Sequence, residues 1–191
     1  MTELATLDSR DRHTRATDRL ILARPERADA ARIARLANER ALAENTSRIP
    51  HPYRLSDAEA WLDTVAAMAP EDAPMGIYLN IPDPVLIGAV GIEQGTFAPD
   101  PELGYWIGAP YRGRGFATEA ARAMIAHAFE HRGLSAIGAG CRITNIASRR
   151  VLEACGFAFI GLGRQYLLAL DRKEPMDRFR LTRQAWLRRH G

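Results

Sequence analysis

The chain has 191 residues, 47% of them apolar and 26% charged, ordinary values for a globular domain long enough to enclose a sizeable core. Net charge is only +3, all 26 cationic residues but Lys173 are arginine, and no dense basic run is interleaved with aromatics, which argues against nucleic-acid binding. No apolar run approaches 18 residues and the first residues lack a signal-peptide core, so a soluble cytoplasmic protein with Cys141 and Cys155 as reduced thiols is the expectation.

Residues 1–18 are polar and aperiodic and read as a flexible arm ahead of a single domain over 19–191. Arg19–Pro25 reads as a first strand around Leu20, Ile21 and Leu22. Glu26–Glu44 carries Ile33, Leu36, Ala37 and Ala41 at helical spacing and predicts one amphipathic helix. Asn45–Leu55 is broken by Pro50 and Pro52 and reads as loop. Ser56 and Glu59 form a capping-box pattern for a second helix to about Met68, with Trp61, Leu62 and Val65 as its buried stripe. Strands follow at Gly76–Asn80 and Val85–Glu93, separated by the turn Ile81-Pro82-Asp83-Pro84. A fourth strand opens at Glu102 and runs into a glycine-rich turn, from which Phe116–Arg132 continues as a long helix. Ser135–Cys141 reads as strand and Asn145–Ala154 as a helix closed by Gly156. Phe157–Leu170 and Met176–Thr182 read as strands around a turn at Asp171–Pro175, and Arg183–His190 as a terminal helix. This order predicts an α/β (α+β) domain built on a mixed, mainly antiparallel sheet.

The rest is organised around Glu102–Ala117, ELGYWIGAPYRGRGFA. Pro110 ends the strand, and Gly113 and Gly115 let the backbone turn where a Cβ would obstruct it. A glycine turn at a helix start leaves N–H groups free beside the positive end of the helix dipole, and Arg112 and Arg114 add charge. Such a turn is either a tight connection or a cradle for a pyrophosphate. Neither G-x-x-x-x-G-K-[ST] nor a complete dinucleotide fingerprint is present.

Arg112-Gly113-Arg114-Gly115-Phe116-Ala117 resembles the Q/R-x-x-G-x-G/A coenzyme A motif of the GNAT superfamily of N-acetyltransferases, and GYWIGAPYRGRGFATEA resembles its RimJ/RimL branch. Three further stretches resemble that branch in order. They are Thr17-Asp18-Arg19-Leu20-Ile21-Leu22, the loop Ile49-Pro50-His51-Pro52-Tyr53 before Trp61-Leu62, and Asn145 to Phe157 (NIASRRVLEACGF). The resemblance implies a GNAT-like sheet with helices on both faces and a central strand that splays from its neighbour past a bulge. The backbone of Trp106, Ile107 and Gly108 would then receive the amide arm of coenzyme A, and the run Arg112, Gly113, Arg114, Gly115, Phe116, Ala117 and Thr118 its pyrophosphate. Asn145 would hydrogen-bond the arm, and Ser148 would steady the leaving thiolate, because Leu152 stands where many relatives carry a tyrosine. His51, Tyr53 and Tyr105 are candidates to touch the acceptor. Each has a plainer reading too: Asn145 as a helix cap, Ser148 as a solvated serine, and Tyr105 or Trp106 as core.

An α-amine has a pKa of about 7.7–8.0 and lysine about 10.4, so an N-terminal amine needs little more than a carboxylate working through water. Glu102 is the first candidate base and Glu93 the second. The implied function is direct transfer of acetyl from acetyl-CoA to a primary amine in a ternary complex, the amine being by analogy a ribosomal-protein N-terminus. A small-molecule amine (antibiotic or polyamine) as acceptor, or a non-catalytic acyl-CoA-binding module, are the alternatives. Neither nucleic acid nor membrane is expected as a partner, the assembly is a monomer or homodimer, and no metal-ligand spacing occurs. His13, His127, His131 and His190 read as solvent-facing, and the loop Asn45–Tyr53 with the turn Asp171–Pro175 as the acceptor cleft.

Overall fold

The computed structural model describes residues 14–95 and 100–190. Among these, eight strands form one sheet: β1 (Arg15–Ala16), β2 (Leu20–Ala23), β3 (Met75–Leu79), β4 (Leu86–Glu93), β5 (Glu102–Ile107), β6 (Ala136–Arg142), β7 (Ala158–Leu167) and β8 (Arg172–Thr182). Their order is β1-β2-β3-β4-β5-β6-β8-β7, and every neighbouring pair is antiparallel except β5 with β6. β4 reads LIGAVGIE and is buried on both sides through Ile92, as expected of a central strand covered on both faces.

Helices cover both faces. They are α1 (Ala30–Ala37), α2 (Arg40–Ala43), α3 (Leu55–Ala67), α4 (Phe116–Glu130), α5 (Ile146–Ala154) and α6 (Arg183–His190). α4 buries Ala120, Ala121, Met124, Ile125, Ala128 and Phe129, and its alanines let it lie close to the sheet. With Leu152 of α5 and Trp186 of α6 these residues form the larger core, into which β5 sends Leu103 and Ile107. The smaller core lies on the opposite face, where α1 and α3 pack Ile33, Leu36, Ala58 and Leu62 over Tyr78 and Leu86, with Trp106 against them. No helix among the described residues is long and apolar enough to cross a membrane.

Several expectations shift, each through a contact made far along the chain. The helix expected over 26–44 breaks at Asn38 (φ −75°, ψ 53°), whose side-chain oxygen accepts the Tyr53 N–H at 3.0 Å. Arg54, not Ser56, caps α3, with the Asp57 carboxylate accepting the Arg54 N–H at 2.6 Å. Of that helix's stripe, Leu62 and Val65 are buried with Ala58, while Trp61 is half-buried. The last hairpin turns at Leu168–Asp171, so Arg172–Pro175 belong to β8. Most of the expected arm lies outside the described residues, but Arg15–Ala16 pair with β2, and Arg15 meets both ring nitrogens of His127. His127 is therefore buried rather than solvent-facing. Irregular register falls at Ile77/Tyr78 and Phe159/Gly161, so the expected bulge is not in the β4–β5 ladder.

Candidate active site

β5 and β6 run parallel but share a single bridge, Glu102 opposite Gly138, with the Gly138 N–H donating to the Pro101 carbonyl at 2.8 Å. Beyond it the strands part. On the other side β5 is laddered to β4 along its whole length, from Glu93–Glu102 to Gly88–Ile107. The Gly108 N–H donates to the Ile87 carbonyl at 2.9 Å, and alternation along an antiparallel pair then turns the Trp106 and Gly104 backbone groups toward β4 as well. Those of Tyr105 and Ile107 point into the gap. Tyr105 and Ile107, rather than Trp106 and Gly108, thus offer backbone groups to an added chain. The Ile107 carbonyl is already taken by Arg112 Nε at 2.8 Å, which leaves its N–H facing the gap.

Next to the gap stands the head of α4. Gly113 (φ 74°) and Gly115 (φ 81°) occupy the left-handed region, and nothing lies within 4 Å of where a Cβ on Gly113 would sit. The N–H groups of Gly113 to Thr118 find no acceptor among the described residues. Six consecutive donors at the positive end of a fifteen-residue helix make a strong anion site. Arg114 and Arg112, both expected to point at the anion, differ. Arg112 makes a bidentate pair with Glu39 (2.9 and 2.7 Å), tying the break after α1 to the end of β5. A cation that sequence reasoning missed stands here instead. Arg19 donates to the Arg114 carbonyl at 2.9 Å, pairs with Glu119 at 2.6 Å, and covers the Phe116 ring at 4.8 Å. Only its place in the Thr17–Leu22 pattern hinted at a special residue.

Across the gap, α5 begins at Asn145, whose side-chain oxygen accepts the Ser148 N–H at 3.1 Å. That cap leaves the Asn145 amide nitrogen without a partner among the described residues, so both expected roles are compatible. Ser148 Oγ is 2.9 Å from the Tyr105 hydroxyl. Tyr105 therefore points toward α5, while Trp106 takes the opposite face. Burial pushes the Tyr105 phenol far above its usual value, and the Ser148 hydrogen bond only partly offsets this. It stays protonated and shares a hydrogen bond with Ser148 Oγ in which either hydroxyl can donate. Burial, with Asp177 adding to it, also lifts the Cys141 thiol to about 11, and burial lifts Cys155 to about 11, so neither is a nucleophile at neutral pH. Leu152 is buried in the core.

The face bearing α1 and α2 holds the carboxylates. Glu93 and Glu102 are opposite one another in register, and Glu93 is bound by Arg48 at 2.7 Å. Glu102 stands at the one bridge, at the closed end of the gap. His51 is exposed, whereas Tyr53 is buried in the smaller core, its phenol pushed up to about 12 by burial and by Asp57. The Leu168 N–H donates to the Ser47 carbonyl at 3.2 Å, which brings the last hairpin to the loop after α2. A cavity of about 250 Å³ lies elsewhere, between α4, α5 and α6 beside Cys155 and Trp186. Among the described residues no three His, Cys, Asp or Glu stand close enough to hold a metal ion.

A family model described as acetyltransferase (GNAT) domain matches residues 19–158. FsC-acetyl coenzyme A-N(2)-transacetylase of Aspergillus fumigatus is 32% identical over 92 residues, 46% of this chain and 38% of that protein. The probable N-acetyltransferase YjcK of Bacillus subtilis is 38% identical over 102 residues, 50% of this chain and 53% of that one. The chain thus aligns with about half of these relatives' length or less. In fold it superposes on a ribosomal-protein-S5-alanine acetyltransferase from Vibrio fischeri with a TM-score of 0.74, 21% identity, and coverage of 91% and 98% of the two chains.

Proposed function

Since the chain belongs to the GNAT acetyltransferase family, we propose that it transfers acetyl from acetyl-CoA to a primary amine, the α-amine at a protein N-terminus. The observation that carries this reading is the parted β5–β6 pair opening beside six free N–H groups at the head of α4. The residues fit the coenzyme. Gly113–Thr118 and Arg114 suit its diphosphate, and the Tyr105 and Ile107 backbone suits its amide arm. When bound, acetyl-CoA supplies the activated acetyl thioester.

The chain's own groups have distinct duties. A backbone N–H on the gap side of β5 would polarise the acetyl carbonyl. Ser148, hydrogen-bonded to the always-protonated Tyr105 phenol, donates toward the departing sulfur. A thiol of pKa about 8.5 leaves without a strong acid, so a hydroxyl pair suffices where relatives use a tyrosine. Glu102, or Glu93 beside it, takes the amine's proton through water. Most of the acceleration comes from holding thioester and amine together.

The branch's resemblance to RimJ and RimL favours a protein N-terminus. The second reading is a small-molecule amine as acceptor, since one fold serves many acceptors. Release of free thiol from acetyl-CoA with a panel of peptide N-termini, polyamines and aminoglycosides tests both. Turnover is expected with peptides first, and Glu102→Gln should lose rate mainly at low pH, where the amine most needs a base. Absence of thiol release with every amine, despite coenzyme binding, would leave only a binding module.

A further inference from the structure

Arg19 stands just before β2, where its carbonyl accepts the Asn80 N–H at 2.9 Å and fixes it beside β3. Its side chain crosses to the head of α4, where one planar guanidinium spans two groups. Nε and Nη2 go to the Glu119 carboxylate, and Nη1 donates to the Arg114 carbonyl at 2.9 Å. The other Glu119 oxygen is taken by the Thr17 hydroxyl and the Arg19 N–H, so the carboxylate is held from both sides and is itself largely buried. The peptide that Arg19 grips joins Arg114 to Gly115, and glycine accepts φ of either sign, so this plane could turn over at little intrinsic cost. In a trans peptide the C=O and the N–H point in opposite directions. With the Arg114 oxygen held on the Arg19 side, the Gly115 N–H faces away from it, and it is one of the six donors free at the helix head. Turned over, the same plane would set a carbonyl oxygen among those donors and repel an anion.

We propose that Arg19 and Glu119 are positioning residues for the coenzyme. Glu119 locks Arg19, Arg19 locks the Arg114–Gly115 peptide, and that peptide then presents its N–H to the diphosphate before the ligand arrives. This rests on the acetyl-CoA reading of the site and deepens it. The sign of one effect separates bracing from simple charge. A carboxylate in the first turn of α4 lies close to an anion site, so by charge alone its removal would tighten coenzyme A binding. By bracing, its removal must loosen it.

Titration calorimetry of coenzyme A with Glu119→Gln, Arg19→Lys and Arg19→Met in the full chain tests the assignment, each at a temperature where its melting curve shows it fully folded. Arg19→Met should weaken binding about five- to tenfold, the worth of one hydrogen bond, and Glu119→Gln about three- to fivefold. Arg19→Lys keeps the charge but cannot span carboxylate and carbonyl with one planar fork, so it should fall between wild type and Arg19→Met. Should Arg19→Met not fold, the other two decide. In turnover of the best amine of the acceptor panel, the loss should appear in the acetyl-CoA KM, with the amine KM within about twofold of wild type. Glu119→Gln binding as tightly as wild type or tighter, Arg19→Lys binding like wild type, or equal rises in both KM values overturns the brace and leaves the coenzyme site standing. A wild type that binds no coenzyme A removes both.

Discussion

Arg112 and Arg114 stand two positions apart yet have different duties. Arg112 is committed to Glu39 and to the Ile107 carbonyl, so its charge is largely neutralised within the fold. Arg114 has no carboxylate partner among the described residues and is exposed beside the free amides. Arg114→Ala should therefore weaken coenzyme A binding several-fold, with the loss shrinking as salt rises. Arg112→Ala should instead cost about 0.5–1 kcal/mol of stability, since the pair is partly exposed and screened, with a smaller change in affinity. Titration calorimetry at two ionic strengths, beside urea melts, separates them. At this scale the sequence revealed chemistry carried by the backbone better than chemistry carried by partners. Gly113, Gly115 and the Asn145 cap are local and were legible, whereas the Glu39 partner of Arg112 and the Ser148 partner of Tyr105 lie 73 and 43 positions away.

The head of α4 shows how two elements secure one another. Glu119 in the first turn of α4 accepts from the Thr17 hydroxyl at 2.6 Å, the Arg19 N–H at 3.0 Å and the Arg19 guanidinium at 2.7 Å. Burial alone would raise its carboxyl, but these hydrogen bonds and the Arg19 charge together hold it below the usual value. A folded-state value below the unfolded one stabilises at neutral pH, and that contribution fades as pH falls through the folded value. Glu119→Gln should thus be less stable than wild type at pH 7, with the difference shrinking as the solution is acidified below the ordinary carboxyl range, as read by urea unfolding. In the turn before it, Gly115→Ala must hold a Cβ at φ 81° and should lose about 1–2 kcal/mol by the same measurement. Helical spacing announced α4 correctly from Phe116. It did not announce the break at Asn38, because apolar residues continue at helical spacing beyond it, and the contact that fixes the break comes from the Tyr53 N–H fifteen positions on.

The order of elements along the chain predicted a mixed, mainly antiparallel sheet, the resemblance put helices on both of its faces, and the described residues have both. Where the two parallel strands separate was not legible, since nothing in Glu102–Ile107 or Ala136–Arg142 differs from strands that pair along their length. A ligand bridging that separation binds only the folded chain. Coenzyme A at about 100 times its dissociation constant should add about 2.7 kcal/mol and raise the melting temperature by roughly 5–10 °C, checked by calorimetric scans with and without it. The lone rung between Glu102 and Gly138 has a further consequence. Five strands on one side and three on the other are each stiff plates, and between them the main chain supplies almost no resistance to spreading. What holds the two sides at their spacing is then the side-chain core they share, so a bulkier acyl group would be admitted only as far as that packing yields.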